Sequence, residues 1–158
     1  MPISVSGIPA GNAEEVLRYL ADQIDGTPVY RALCNESLRE YESHGVMTPK
    51  EGDLSVGRGV FFYINPSHAV KENKPLIVVS STGILSRERR IVDTRIPGYD
   101  VKYKMELESS RGAGNYSGWD VWKRVLESDT ITVLNGEVPV YTIRSPVTRD
   151  EILFEVRL

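Results

Sequence analysis

The stretch Thr27-Pro-Val-Tyr-Arg-Ala-Leu33 is a short, mostly apolar run that contains one arginine. Its β-branched and aromatic residues, bounded by Gly26 and Pro28, predict a strand over 29–33. Burying a guanidinium is costly unless an anion meets it. We therefore expect Arg31 either to pair with a carboxylate inside the protein or to remain available for an anionic ligand.

The composition is that of an ordinary soluble globular protein. The chain has 158 residues and a formal net charge of -3, which argues against nucleic acid as the main partner. Its single cysteine and two histidines argue against a disulfide framework and a metal site. No apolar run is long enough for a membrane span, and the start lacks a signal-peptide pattern. We expect one domain over 1–158 with a helical N-terminal segment over 1–26, no membrane partner, and an intracellular or specially exported protein.

Helix caps organise the first half of the chain. Asn12 and Glu15 have the spacing of a capping box, and apolar residues follow at helical spacing. Asn65-Pro66 has the order of an N-cap followed by proline at the first helical position. Three helices are predicted: one over 13–24, one that Asn35 caps and Gly45 ends, and one over 67–73.

Strand patterns dominate the rest. Besides 29–33, strands are predicted over 60–64, 76–79, 101–108, 130–134, 138–143 and 152–158. The continuous apolar run 76–79 predicts a central strand, and Asn135-Gly136 predicts a hairpin turn. Residues 46–58, 80–83 and 111–118 are predicted loops and turns, and Trp119 and Trp122 belong to a predicted helix. The sum is an α+β protein with about six mostly antiparallel strands and several short helices.

Three blocks of this sequence resemble the corresponding blocks of ADP-ribosyltransferase-fold proteins, a family that includes bacterial toxins and effectors. They are Val29-Tyr-Arg-Ala32, Gly59-Val-Phe-Phe-Tyr-Ile-Asn-Pro-Ser-His-Ala69 and Asp129-Thr-Ile-Thr-Val-Leu-Asn-Gly-Glu-Val-Pro139. Their order and spacing over about 27–143 carry the resemblance. It implies two small, split, antiparallel β-sheets that grip NAD in a cleft.

The resemblance also implies roles for individual residues. Arg31 would bind the NAD phosphates, and Tyr63 or, failing that, Phe62 would stack on nicotinamide. Asn65 and Ser67 would help to orient the ligand. Glu127 or Asp129, just before a late strand, would stabilise the positive ribose as nicotinamide leaves. Each has a plainer reading: an internally paired arginine, core aromatics, helix caps, or a solvated strand end.

The implied activity is NAD-dependent mono-ADP-ribosyl transfer to a protein, by a toxin or effector in the cytoplasm or delivered into a target cell. NAD would be the substrate, and no metal is expected. The paired-glutamate motif of arginine-modifying members is absent, because the local text is Glu127-Ser-Asp129. The acceptor therefore stays open.

Two alternatives remain. One is an NAD glycohydrolase that resembles RES-type toxins through Gly57-Arg-Gly59 and the spacing from Tyr63 to Glu72, with Glu72 as the acid. The other is a non-catalytic binder on the same fold, with a partner surface around residues 111–122 and the turn at Asn135-Gly136.

Overall fold

The computed structural model describes residues 2–50, 59–86, 91–93, 130–133, 140–143 and 145–158. The helices are α1 (Ala13–Ala21), α2 (Asn35–His44), α3 (Pro66–Lys71) and α4 (Thr82–Leu85), with short 3-10 turns at Ala10–Asn12 and Arg149–Glu151. The strands are β1 (Ile3–Val5), β2 (Pro28–Leu33), β3 (Val46–Met47), β4 (Val60–Tyr63), β5 (Leu76–Ser81), β6 (Ile91–Asp93), β7 (Thr130–Val133), β8 (Val140–Ile143), β9 (Val147–Thr148) and β10 (Phe154–Arg157).

Eight of these strands form one sheet in the order β1-β10-β5-β2-β4-β8-β7-β6, and β3 pairs with β9 in a small second sheet. Neighbouring strands run antiparallel except for β1 with β10 and β6 with β7. The predicted α+β class with a mostly antiparallel sheet and short helices is confirmed. The two small split sheets implied by the resemblance are not seen as such, because eight of the described strands pair in one sheet.

Alternation along the strands divides the core between the two faces of the sheet. On β2, Val29 and Leu33 face the cluster that includes Tyr41 of α2. Tyr30 faces the opposite cluster, which includes Leu17 of α1 and, on α3, Ala69. Helix α2 therefore covers one face, and α1 and α3 cover the other.

Strand β5 lies at the centre of this arrangement. All six of its residues are buried, and it is flanked by β10 and β2. A strand that is covered on both faces must be apolar on both, which is why Leu76-Ile-Val-Val79 has no alternation. The prediction of a central strand over 76–79 is confirmed.

The helix caps were predicted with mixed success. Gly45 ends α2 in the left-handed conformation, at φ 64, and the Asn65 side chain caps α3 by accepting from the Ser67 N–H at 3.0 Å. Asn12 makes no side-chain cap, because its backbone is already near the helical region, at φ -103 and ψ -3. Cys34 rather than Asn35 is the N-cap of α2.

Three predicted boundaries were wrong. The N-terminal segment predicted to be helical begins with β1, which adds to the sheet beside β10. The turn predicted at 80–83 is the end of β5 and the start of α4, where the Ser81 hydroxyl accepts from the Ile84 N–H. The loop predicted from residue 46 begins with β3. The predictions at 101–108, 111–118, Trp119, Trp122 and Asn135-Gly136 lie outside the described residues.

Candidate functional site

The described halves of the large sheet meet where β2 and β4 lie side by side, a junction that we call the seam. Strand β2 pairs with β5 through six residues, and β4 pairs with β8 through four. Across the seam, Tyr30 and Tyr63 form the single registered pair. The seam is therefore a line of reduced backbone pairing inside an otherwise continuous sheet.

Arg31 follows Tyr30 on β2 and reaches across the seam. Its Nη1 donates a hydrogen bond of 2.9 Å to the carbonyl oxygen of Phe61 on β4. Its Nε is buried, and among the described residues it has no hydrogen-bond partner and the guanidinium has no carboxylate ion pair. An unpaired buried donor costs about 1–3 kcal/mol, which an anion bonded to the guanidinium would relieve. The described residues therefore do not support the expectation that Arg31 pairs with a carboxylate inside the protein.

The charge of Arg31 is opposed by burial and supported by its neighbours. Burial lowers the pKa of the Arg31 guanidinium, while Glu72, Cys34, Tyr63 and Glu40 act in the opposite direction. An arginine keeps its charge at neutral pH even after such a shift. The seam therefore presents a permanent, partly desolvated cation, which suits a phosphate-bearing ligand.

Tyr63 lies across the seam on β4 and has an electrostatic influence on Arg31. Its side chain is partly buried, and its ring centroid lies 5.9 Å from that of His68 with the planes tilted by 58°. Burial raises the pKa of the Tyr63 phenol, and the interaction of its hydroxyl with Glu72 raises it further. The phenol is therefore protonated at neutral pH. The structure thus brings Arg31, Tyr63 and Glu72 into one neighbourhood.

His68 is a member of this neighbourhood that the sequence reasoning did not select. Its Nδ1 is buried and has no hydrogen-bond partner among the described residues. The available signal was its place on the first turn of α3, which follows β4 almost directly. A helix that begins so soon after a strand must fold back near the strand's last residue, here Tyr63.

Phe62 and Ser67 have the structural roles that their sequence patterns also allowed, core packing for Phe62 and helix capping for Ser67. Phe62 is 0 % exposed and belongs to the core on the α2 face, so it is not available to a ligand in this structure. The Ser67 hydroxyl donates to the Asn65 side chain at 2.9 Å and so completes the cap of α3. Of the two predicted stacking residues, Tyr63 is therefore the one that is accessible to a ligand.

The late acids, Glu127 and Asp129, lie outside the described residues. The strand that follows them, β7, begins at Thr130, which is registered with Ile143 and through it with Val60. That is the end of β4 opposite to Tyr63, and β8 lies between β7 and β4. Among the three acidic candidates, Glu72 is the one whose position the structure describes, and it acts on both Tyr63 and Arg31.

A set of hydrogen bonds holds the start of β4 close to α2. Glu40 accepts from the Thr48 N–H at 2.9 Å and from the Lys50 ammonium at 3.4 Å, and these bonds lower the pKa of its carboxyl. Lys50 and Gly59 exchange two backbone hydrogen bonds of 3.0 and 2.9 Å. The arrangement sets where β4 begins, and therefore where the Phe61 carbonyl meets Arg31.

The described ranges contain neither a metal-binding cluster nor a membrane-spanning helix. No group of three or more histidine, cysteine or acidic side chains there could hold a metal ion. None of the helices described has the length and apolar character needed to cross a membrane.

Comparisons with protein families, with curated proteins and with solved structures find no match to this chain. Its function must therefore be inferred from its own residues.

Proposed function

We propose that this protein cleaves NAD between nicotinamide and ribose and transfers the ADP-ribose to a protein acceptor, as a mono-ADP-ribosyltransferase of the bacterial toxin or effector type with an ADP-ribosyltransferase-like fold. One observation carries the proposal. Among the described residues, Arg31 lies at the seam with an unpaired Nε and no carboxylate ion pair, and it is electrostatically coupled to the partly exposed Tyr63. That is the arrangement expected for a substrate that bears both phosphates and an aromatic ring.

Arg31 would bind the phosphates of NAD. A guanidinium presents a planar fork of donors that matches phosphate oxygens in pairs, and a lysine ammonium cannot reproduce that geometry. The bond to the Phe61 carbonyl occupies only one of its five N–H groups. The remaining donors are sufficient for a bidentate contact with one phosphate.

Tyr63 would stack on the nicotinamide ring. Its partly exposed position lets one face of the ring contact a ligand, while His68 packs against it from α3. The pyridinium of NAD is electron-poor, so stacking on a neutral phenol is favourable.

Cleavage needs a carboxylate near the ribose. As nicotinamide leaves, positive charge develops on the ribose, and an anion aimed at that charge lowers the barrier. Glu127 or Asp129 would supply this anion in the transfer reaction. An acceptor side chain then attacks the ribose carbon and loses a proton to solvent.

A second candidate, NAD glycohydrolase activity, is favoured by the position of Glu72. Its interaction with the Tyr63 hydroxyl and its electrostatic effect on Arg31 associate it with both residues proposed to hold NAD. Glu72 would stabilise the ribose cation, and water would attack the ribose carbon in place of a protein. The products would be nicotinamide, free ADP-ribose and one proton.

The test measures nicotinamide release from NAD and follows labelled ADP-ribose, with and without a cell lysate as the source of acceptors. Arg31→Ala is compared with Arg18→Ala, because Arg18 is an exposed arginine whose ion pair among the described residues is with Glu14 on the same helix. Label on a protein supports transfer, and free ADP-ribose supports hydrolysis. No release under either condition, or equal release by Arg31→Ala, overturns both candidates.

A further inference from the structure

We propose that the seam is a hinge within the sheet and that Arg31 is its latch, which opens when a phosphate-bearing anion binds the buried side of the guanidinium. The hinge goes beyond the proposed function, because it requires an anion at Arg31 but no cleavage of NAD.

The register of the strands identifies the hinge. On one side of the seam β2 is held to β5 by six registered residues, and on the other β4 is held to β8 by four. Between these two ladders, the pair Tyr30 and Tyr63 is the single registered contact of the strands. Local opening in a protein follows the line with the fewest backbone hydrogen bonds, and here that line is the seam.

Arg31 supplies a second connection across the same line. Its Nη1 bond to the Phe61 carbonyl joins β2 to β4 at a point where the strands share no registered pair. The Arg31 side chain can lose its hydrogen bond to the Phe61 carbonyl without breaking the ladder on either side of the seam. The connection is therefore a latch that can be released by breaking one hydrogen bond, whereas the ladders beside it are held by several registered pairs.

The orphaned Nε indicates what releases the latch. A phosphate that binds an arginine in the fork geometry engages two neighbouring N–H groups, and Nε is one of the groups that form such pairs. Nε is buried and has no partner among the residues that the structure describes, so an anion cannot reach it while the seam is closed. A phosphate contact that uses Nε therefore requires the open seam, and this mode of binding is coupled to opening.

The surrounding core limits how far the seam opens. Val29 of β2 and Phe62 of β4 lie in the same core cluster, and helix α3 packs on both strands. Opening is therefore a local loss of the contacts between β2 and β4, with the two ladders beside the seam intact.

Residue-resolved hydrogen–deuterium exchange tests the latch. Arg31→Met keeps an unbranched side chain but removes the donors, and Arg18→Met makes the same chemical change at the exposed pair on α1. We expect the amides of 29–33 and 60–63 that face the seam to exchange about tenfold faster in Arg31→Met, the effect of losing one charge-assisted hydrogen bond. The amides that join β5 to β10 should keep their rates. Unchanged seam rates, or an equal increase in the β5–β10 ladder, overturns the latch.

The wild-type protein with inorganic pyrophosphate provides the second test, which does not depend on any variant folding. We expect pyrophosphate to speed exchange at the seam while the β5–β10 ladder is unchanged or slower. Arg31→Met, if it folds, should show no response to pyrophosphate. Slower or unchanged exchange at the wild-type seam overturns the coupling. Neither exchange experiment measures NAD cleavage. The hinge proposal can therefore be overturned while the proposed function stands, and the proposed function can be overturned while the hinge stands.

Discussion

The guanidinium of Arg31 and the carbonyl oxygen of Phe61 lie 2.9 Å apart on neighbouring strands that share a single registered residue pair. The Arg31 side chain thus adds a hydrogen bond between β2 and β4, whose backbones are otherwise joined by one registered residue pair. The Nε of the same guanidinium has no hydrogen-bond partner in the part of the chain that the structure describes. The seam is consequently both the weakest line described in the sheet and the place with unused capacity for an anion.

Replacing Arg31 by lysine is expected to lower nicotinamide release from NAD by at least about tenfold, because an ammonium lacks the planar fork that binds phosphate in pairs. The loss should appear mainly as weaker NAD binding, measured as a higher KM. Arg18→Lys on the exposed face of α1 is the matched control and should be unchanged. Full activity of Arg31→Lys would contradict a phosphate-binding role.

Replacing Glu72 by glutamine is expected to lower the rate of nicotinamide release by about tenfold or more, since a charge that faces a developing cation acts mainly in the transition state. The effect should fall on kcat. Glu42→Gln is the control, because Glu42 is an exposed carboxylate paired with Arg157 at 2.9 Å. Glu127→Gln and Asp129→Asn complete the series. If one of these lowers kcat and Glu72→Gln does not, the acid lies near the late strand instead.

Replacing Arg149 by methionine is expected to destabilise the protein by about 2 kcal/mol, because Glu155 would be left as an unpaired charge in the core. Glu155 is 1 % exposed and accepts a hydrogen bond of 2.7 Å from Arg149. The cost should fall below the about 3–5 kcal/mol of a fully buried pair, since the Arg149 side chain is 43 % exposed. Urea unfolding measures it. Arg18→Met at an exposed pair should cost no more than about 0.5 kcal/mol.

The Cys34 thiol is expected to react with iodoacetamide with a pH midpoint below that of an ordinary cysteine. Hydrogen bonds from the side chain and N–H of Ser37 lower its pKa, although burial acts the other way. Since the folded-state pKa lies below the unfolded one, folding should gain stability as pH rises between the two values. Ser37→Ala should raise the midpoint and reduce that gain. A midpoint unchanged by Ser37→Ala would show that the hydroxyl does not hold the thiolate.

Replacing Gly59 by alanine is expected to destabilise the start of β4 by about 1–3 kcal/mol, the usual cost of overpacking. A Cβ at this position would collide with the Cγ2 methyl of Thr142 and would lie 3.3 Å from the carbonyl oxygen of Ile143. Thr142→Ser removes that methyl and keeps the hydroxyl. The double variant should therefore lose less stability in urea unfolding than the sum of the two single variants. Simple additivity would show that the methyl is not the obstacle.

Much of the local structure could be predicted because its causes are local. An apolar run over 76–79 predicts a strand buried on both faces, and Asn65-Pro66 predicts a capped helix, because each depends on residues within a few positions of one another. The wrong caps have a similarly local cause. Asn12 carries the right side chain, but a preceding 3-10 turn gives it the wrong backbone conformation, which its own residue type does not reveal.

The candidate site was predictable only in part. The sequence selected Arg31 and Tyr63, and it offered Glu72 as an alternative acid without a way to place it. The fold of α3 back onto β4 is what brings Glu72 and His68 to Tyr63. Phe62 could not be separated from Tyr63 by residue type, because the choice depends on which face of β4 meets the core.

The sequence by itself determined that β2, β4 and β5 are strands, that α3 begins at Asn65-Pro66, and that a cation stands on the first of these strands. Only the tertiary structure decided that β2 and β4 share a single pair, that Arg31 bonds to Phe61, and that Glu155 meets Arg149 in the core. The physical reason is one of range. Hydrophobic periodicity and capping act over a few residues, whereas sheet order and register join residues that are far apart in the chain.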